Sequence, residues 1–330
     1  MSGYKNNKKF IPDKNDTPSQ RAGKIVFWVA AVVLVVSLVI LAAYFIGSYR
    51  DKKLNEQLAN EHTNVITQAT EATTAVPPTE TETEATTTEP PPLVTLASME
   101  SLLADNPDTA GWIKVDGTSI NNVVVQTEDN SYYLDRNFNG NKSQPGTVFA
   151  DYRCVVNDYN SKQSDNIILY GHNQADGTMF GTLNKYKIKH NNTKNFDFYC
   201  QHPTFEFSNL YEEYTYKIIA TFIIEVEPYQ TRDGVIFDYH NFIKFGSKKK
   251  TYDEFITNVM ARTAVDTGVD VQEGDQFLTL STCSNEFEPS RLVVIGRRVR
   301  DGESKEVDTT KAVLNEDAIE PDLNFIYGRG

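Results

Sequence analysis

The sequence predicts a mainly β domain, a barrel decorated by a few helices, preceded by a transmembrane helix and a disordered linker. Three observations lead to this prediction. An uncharged apolar run covers residues 25–46, a stretch rich in Thr, Glu and Pro follows, and the rest alternates short β-branched or aromatic runs with Gly, Asn, Asp and Pro. Many short strands with few helices favour a barrel. Apolar residues make up 39% of the 330-residue chain, enough for the core of one large domain.

The apolar run 25–46 has the properties of a membrane anchor. It contains 22 residues, and about 20 residues in a helix cross the hydrocarbon core of a bilayer. Residues 1–24 carry six basic and two acidic side chains, which favours a cytoplasmic N-terminus. We therefore expect a cytoplasmic tail over 1–24, an uncleaved single-pass signal-anchor helix over 25–46, and the rest outside the cell. A cleavable signal peptide is the alternative, but no convincing small-x-small cleavage site follows the run.

Residues 47–97 are predicted to form an extracellular linker. No Lys or Arg occurs between Lys53 and Lys114, and Thr, Glu and Pro dominate residues 63–95. Such a composition buries too little apolar surface to offset the entropy of ordering, so an extended, disordered stalk is expected. The formal net charge of the whole chain is −13, which makes nucleic acid an improbable partner.

The folded domain is predicted over residues 98–300, and an acidic tail over 301–330. Ser98 is expected to cap a short helix over 99–104, and Thr251 with Glu254 forms a capping-box pattern for a helix near 251–264. The predicted strands are 112–115, 123–125, 147–149, 167–170, 215–224, 277–282 and 292–298.

Two of these strands bring a thiol close to a guanidinium. Cys283 follows the strand 277–282, and Arg291 precedes the strand 292–298 after a loop of seven residues, 284–290. If the two strands pair antiparallel, Cys283 and Arg291 lie side by side at one end of the sheet. A guanidinium there would stabilise a thiolate and a developing oxyanion. The alternative is a buried cysteine and an unrelated surface arginine.

His172 is the candidate base among five histidines. It follows an apolar strand and Gly171, so a rigid sheet would present its side chain at the strand end. His62 lies in the expected linker, and the other three, His190, His202 and His240, are expected on the surface. A Cys–His pair distant in sequence can meet in space for nucleophilic catalysis.

Metal and cofactor sites are not expected. The sequence contains no Cys-x-x-Cys, His-x-x-x-His, EF-hand-type or phosphate-cradling glycine motif. Its three cysteines, Cys154, Cys200 and Cys283, do not suggest a disulfide framework.

Several segments resemble those of class B sortases, the cysteine transpeptidases of Gram-positive bacteria. TLSTC at 279–283 resembles the sortase cysteine signature, and Arg291 opens the next strand as the sortase arginine does. LYGHN at 169–173 with DGTMF at 176–180 resembles the class B histidine region. Further similar segments are NPDTAGWI (106–113), VVQ (124–126), DNSYYL (129–134) and FADYR (149–153).

The resemblance implies an eight-stranded β-barrel with peripheral helices and a transpeptidation reaction. Cys283 would attack the Thr carbonyl of a C-terminal sorting signal on a surface protein, His172 would serve as acid and base, and Arg291 would hold the oxyanion. Ser281, Thr282 and, in a supporting role, Asn130 would contribute to substrate binding.

The implied acceptor is the amine of a peptidoglycan precursor or of a pilin lysine. Class B members are associated with haem uptake in some cases and with pilus assembly in others. Two alternatives stay open at this point: another Cys-dependent cell-wall transpeptidase or hydrolase, and a catalytically inactive stalked surface protein.

Overall fold

The computed structural model describes residues 10–74, 93–157, 163–189, 193–246 and 249–329. The chain forms two compact units, Met1–Arg50 and Asp51–Gly330. The helices are α1 (Pro18–Thr74), α2 (Ala97–Asp105), α3 (Thr193–Gln201), α4 (Lys249–Arg262) and α5 (Leu323–Ile326). The strands are β1 (Thr109–Lys114), β2 (Asn121–Val125), β3 (Val148–Ala150), β4 (Asn166–Tyr170), β5 (Thr204–Ser208), β6 (Glu213–Glu225), β7 (Val265–Asp266), β8 (Phe277–Cys283), β9 (Ser290–Arg298) and β10 (Val313–Leu314).

In the first unit, the apolar run 25–46 is helical throughout and lies within α1. The helix start is capped reciprocally, because the Gln20 amide N–H donates to Thr17 Oγ1 (3.3 Å) and the Thr17 amide N–H donates to Gln20 Oε1 (3.1 Å). In the described part of the chain, one helix, α1, is long and apolar enough to cross a membrane. An N-terminal apolar helix of this kind suggests membrane anchoring.

Residues 51–74 of α1 belong to the second unit and differ from the expected disordered linker. Asp51, Leu58 and His62 are buried there. Asp51 accepts hydrogen bonds from Asn137 (2.9 Å) and Ser143 (2.8 Å). The spacing 51, 58, 62 places these side chains on one helix face, a pattern concealed by the Thr- and Pro-rich composition that follows. Residues 75–92 of the expected linker lie outside the described residues.

The eight main strands form the closed barrel that the resemblance implied. Their order around it is β1-β2-β3-β4-β8-β9-β6-β5, and β5 returns to pair with β1. The pairs β2–β3 and β4–β8 are parallel, and the other pairs are antiparallel. Seven of the eight strands were predicted from the sequence. The five-residue β5 was missed, although its buried Phe205 and Phe207 alternate with the exposed Glu206.

Two predicted helix caps are wrong. Helix α2 begins at Ala97, so Ser98 lies inside it, and the preceding Leu96 makes no side-chain capping bond. Helix α4 begins at Lys249, two residues before the expected box at Thr251.

The strands β8 and β9 form the rigid centre of the barrel, since residues 277–282 and 292–297 are all buried. Each buried Leu, Val or Phe stabilises such a core by about 1.5–3 kcal/mol.

The segment 301–329, part of the predicted acidic tail, is attached to the rest of the second unit. β10 pairs with β7, and Glu303 lies between Arg297 and Lys217. Its Oε1 is 2.8 Å from Arg297 Nη2 and 2.6 Å from Lys217 Nζ. The Arg297 side chain is fully buried, so the acidic segment supplies the counter-charge that this arginine requires. A segment that is held by charge pairs shows no apolar periodicity, so its sequence pattern did not predict this attachment.

Candidate active site

Three strand ends meet at one end of the barrel. β8 ends at Cys283 and β9 begins at Ser290, and their register pairs Cys283 with Arg291. The parallel partner β4 ends at Tyr170, which pairs with Ser281. The residues that follow β4 therefore lie beside the end of β8. This agrees with the side-by-side placement of Cys283 and Arg291 that antiparallel pairing predicted.

Cys283 is the exposed residue at the end of an otherwise buried strand. Its Sγ lies 3.6 Å from Arg291 Nη1, and the same nitrogen donates to the Ser290 carbonyl at 3.0 Å. The second bond orients the guanidinium along the strand edge. A cation in this position favours the thiolate and can receive the charge of a tetrahedral adduct.

The other two cysteines are in different surroundings. Cys154 is buried, and burial raises the pKa of its thiol to about 12. Partial burial also raises the pKa of Cys200, with Asp197 adding to the effect. Because the thiolate is the nucleophile, neither thiol is suited to attack at neutral pH.

His172 is held beside the end of β8 by its neighbours. Gly171 approaches Phe180 so closely that an added Cβ would lie 2.7 Å from the ring. The Gly171 N–H donates to the Ser281 carbonyl (3.3 Å), and Thr282 Oγ1 donates to the Gly171 carbonyl (2.7 Å).

The imidazole itself has a partner on another loop. Its Nε2 lies 2.8 Å from the Leu134 carbonyl oxygen. A carbonyl can only accept, so Nε2 carries the hydrogen of this bond. In the described part of the chain, the imidazole bonds to Leu134 and not to Cys283.

Comparisons with known proteins identify the family. A family model described as Sortase domain matches residues 113–299, more than half of the chain. The chain belongs to the sortase family.

The curated relatives place it in class B. Sortase B of Listeria monocytogenes is 32% identical over 196 residues, which cover 59% of this chain and 71% of the relative. Sortase B of Staphylococcus aureus is 31% identical over 204 residues, covering 61% and 74%. The chain is thus a class B sortase, a family of cysteine transpeptidases.

Solved structures agree with this assignment. Sortase B from Bacillus anthracis superposes with a TM-score of 0.55 at 28% identity, covering 78% of this chain and 99% of that one. A Staphylococcus aureus sortase B–substrate complex superposes with a TM-score of 0.59 at 24% identity, covering 77% and 99%. At that lower identity the likeness is one of fold.

Asn173 joins the histidine segment of this sortase to its cysteine, a role that sequence analysis missed. Its Nδ2 donates to the Cys283 carbonyl at 2.6 Å, and its Oδ1 accepts from Asn184 at 2.8 Å. The amide therefore fixes the backbone at Cys283. The signal available in the sequence was a polar side chain directly after His172.

Ser281 and Thr282 of this sortase are buried and bonded within the barrel. Ser281 Oγ lies 2.6 Å from the Tyr239 hydroxyl, and Thr282 binds the Gly171 carbonyl. Both side chains stabilise the strand ends around the cysteine. Their predicted contact with substrate stays a prediction.

Asn130 is engaged in a buried polar network centred on Asp151. Its Nδ2 donates to Asp151 Oδ2 (3.0 Å), and its Oδ1 accepts from the Tyr152 amide (3.0 Å). Burial alone would raise the pKa of Asp151, but hydrogen bonds from Arg153 and Tyr170 outweigh it and hold the pKa at about 2. The network fixes Tyr170, two residues before His172. Of its members, Asn130 alone was predicted as a site residue.

His62, expected in the linker, is buried, and His240, expected on the surface, is half-buried. His62 stacks on Trp112 with ring centroids 4.1 Å apart. His240 stacks on Tyr239 (4.0 Å) and on Tyr170 (6.0 Å). Burial lowers the pKa of both imidazoles.

Over the described ranges, no group of three or more His, Cys, Asp or Glu side chains is arranged to hold a metal ion.

Proposed function

We propose that this sortase cleaves a C-terminal sorting signal at a threonine through a Cys283 thioester and transfers the acyl group to a cell-wall or pilin amine. The observation that carries the proposal is the 3.6 Å approach of Arg291 Nη1 to the exposed Cys283 Sγ at paired strand ends. The reaction comprises an endopeptidase half-reaction and a transfer half-reaction.

In the first half-reaction, the Cys283 thiolate attacks the threonine carbonyl carbon. The C–S bond forms, and the carbonyl π electrons move to the oxygen, whose negative charge the Arg291 guanidinium stabilises. Collapse of the adduct breaks the C–N bond. The imidazolium of His172 gives its proton to the departing amine, leaving a thioester and a neutral imidazole.

In the second half-reaction, a primary amine attacks the thioester. His172 accepts a proton from that amine, and Cys283 leaves as a thiolate, which restores the starting state. With Nε2–H donated to Leu134, Nδ1 is the ring nitrogen left to exchange the proton. The proposed amine belongs to a peptidoglycan precursor or a pilin lysine, and the acyl donor is a surface protein. The proposed location is a single-pass anchor over 25–46, with the catalytic domain outside the cell.

The test is acyl-enzyme formation by the full-length protein in detergent, using a library of peptides containing threonine at the cleavage position. Wild type should form a covalent adduct at Cys283, detected by mass spectrometry, and release it on addition of a primary amine. Cys283→Ala should form none.

The matched controls are the variants Cys154→Ala and Cys200→Ala, which should retain the adduct because burial keeps those thiols protonated. Adduct formation or peptide cleavage by Cys283→Ala would remove the proposed nucleophile. Cleavage without transfer to any primary amine would make the enzyme a hydrolase.

A further inference from the structure

The C-terminal segment contacts both loops that flank the cysteine and arginine. We name residues 319–327 the C-terminal strap, residues 284–289 the cysteine loop, and residues 226–246 the β6 loop. The cysteine loop joins Cys283 to β9. The β6 loop begins beside Arg291, because β6 ends with the pairs Ile224–Arg291 and Glu225–Ser290.

On the cysteine loop, the strap binds the main chain at Glu286. The Tyr327 hydroxyl donates to the Glu286 carbonyl at 2.7 Å. The Glu286 side chain is held separately, by Lys187 (2.7 Å) and Lys189 (2.8 Å). The preceding residue, Asn285, has a φ of 58° in the left-handed region, which asparagine adopts more readily than most residues other than glycine. Contacts from outside the loop therefore hold both its main chain and the Glu286 side chain.

On the β6 loop, the strap binds Arg232. Asp322 Oδ2 lies 2.8 Å from Arg232 Nε and 2.7 Å from Nη2, and the guanidinium lies 5.1 Å from the Phe325 ring centroid. Asp322 Oδ1 also accepts from the Phe325 amide at 3.0 Å, which caps α5. One aspartate thus shapes the strap and joins it to the loop.

The two loops also contact each other. Gln230 Nε2 donates to the Pro289 carbonyl at 2.7 Å. Strap, cysteine loop and β6 loop therefore close a ring of contacts around the start of β9, where Arg291 lies.

These strap contacts are too exposed to serve mainly global stability. The Arg232 and Asp322 side chains are 63% and 41% exposed, and exposed ion pairs contribute little to unfolding free energy. The barrel strands are fixed by their own core. The part of the site that the strap can influence is therefore the position of the two loops relative to Cys283 and Arg291.

We propose that Tyr327 and Asp322 are positioning residues for catalysis, through which the C-terminal strap holds the cysteine loop and the β6 loop in the geometry that aligns Cys283 with Arg291. The inference rests on the function proposed above for Cys283 and Arg291. The strap lies beyond the Sortase domain match, which ends at residue 299.

The experiment compares the variants Tyr327→Phe and Asp322→Asn in the full-length protein. Both remove one contact while keeping size, and asparagine can still cap α5. Three quantities are measured: kcat and KM for peptide cleavage, the rate of Cys283 alkylation by iodoacetamide, and the melting temperature. We expect kcat/KM and the alkylation rate to change by about two- to tenfold, the equivalent of one net hydrogen bond, with little change in melting temperature.

Matched controls come from the same chain. Asp308→Asn alters an aspartate that also caps a turn (through Thr310) and also pairs with a basic residue, Lys311 at 3.1 Å, but contacts neither loop. Tyr211→Phe removes a hydroxyl that makes no hydrogen bond to the described residues. Both controls should match wild type. Arg232→Lys, which keeps the charge, should retain more activity than Arg232→Gln.

Strap variants that match the controls in both kcat/KM and alkylation would overturn the inference. A lowered melting temperature with unchanged kinetics would also overturn it, because it would make the strap a purely structural element. The alkylation rate is independent of turnover. A wild-type protein with no peptide cleavage would overturn the proposed function, and alkylation would then still decide whether the strap positions Cys283.

Discussion

At the residue scale, the proposed chemistry depends most on the planar guanidinium of Arg291, which lies beside Cys283. Its Nη1 is shared between the Cys283 Sγ and the Ser290 carbonyl. The two N–H groups of Nη1 have fixed directions in the guanidinium plane, whereas an ammonium is a point charge on a flexible stem. The arrangement therefore depends on arginine and not on positive charge alone.

We predict that Arg291→Lys loses most of the peptide-cleavage activity. Loss of one oxyanion donor costs about 3 kcal/mol, roughly a hundredfold in kcat. The measurement is steady-state kinetics with a fluorogenic peptide, and Arg298→Lys near the other end of β9 is the control. Turnover of Arg291→Lys close to that of wild type would contradict the assigned role.

The pairing of Cys283 with Arg291 could be predicted because strand register follows from local pattern. Two apolar runs joined by a short loop form an antiparallel pair, and its geometry fixes which residues are opposite. Asn173 and Asp151 could not be predicted in this way. Cys283 is 110 residues from Asn173, and Asn130 is 21 residues from Asp151. One sequence carries no signal for such contacts.

At the scale of elements, the barrel was predictable and its attachments were not. Each strand buries a β-branched or aromatic run of its own, which local pattern detects. The second half of α1 and the segment 301–329 depend instead on polar contacts with distant partners, such as those of Asp51 with Ser143 and of Glu303 with Lys217. A composition rich in acidic and hydroxyl residues gave no sign of these contacts.

We predict that Glu303→Gln destabilises the second unit by an amount on the order of 3 kcal/mol, because it leaves the buried Arg297 without its main counter-charge. The guanidinium of Arg297 and the ammonium of Lys217 hold the pKa of Glu303 far below its ordinary value of 4.5. The Glu303 carboxylate therefore gives its full contribution to the free energy of unfolding above pH 4.5. This contribution is lost as pH falls further towards the depressed pKa of Glu303.

Chemical unfolding of the full-length protein, followed by near-ultraviolet circular dichroism at neutral and acidic pH, measures this effect. The stability difference between wild type and Glu303→Gln should shrink as pH falls below 4.5. Glu306→Gln, an exposed glutamate in the same segment, is the control and should match wild type. Equal stability of Glu303→Gln and wild type at neutral pH would show that Arg297 does not depend on this carboxylate.

At the scale of the whole molecule, sequence and structure divide the chain differently. The sequence predicts a long linker between the anchor and a domain starting at residue 98. In the structure the second compact unit begins at Asp51, five residues after the apolar run ends. Truncated forms of the protein should accordingly retain residues 51–74 and 301–330, because Leu58 and His62 are buried and Glu303 pairs with the buried Arg297.

The last prediction concerns membrane topology, for which we expect a cytoplasmic N-terminus, an uncleaved anchor and an extracellular catalytic domain. The reasons are the six basic residues within 1–24 and the uncharged run 25–46 that follows them. Protease added to intact, wall-stripped cells should degrade the catalytic domain. An epitope placed at the N-terminus should be cut only after the membrane is permeabilised.

Replacement of the three lysines Lys5, Lys8 and Lys9 by glutamate is the matched variant. It removes the excess of basic residues before the apolar run and should lower the fraction of chains with a protected N-terminus, since retention of Lys and Arg on the cytoplasmic side sets orientation. Sequencing of the mature N-terminus separates the anchor from a signal peptide. A mature chain that starts after residue 46 would show that the run is removed, and the enzyme would then need another means of staying at the cell surface.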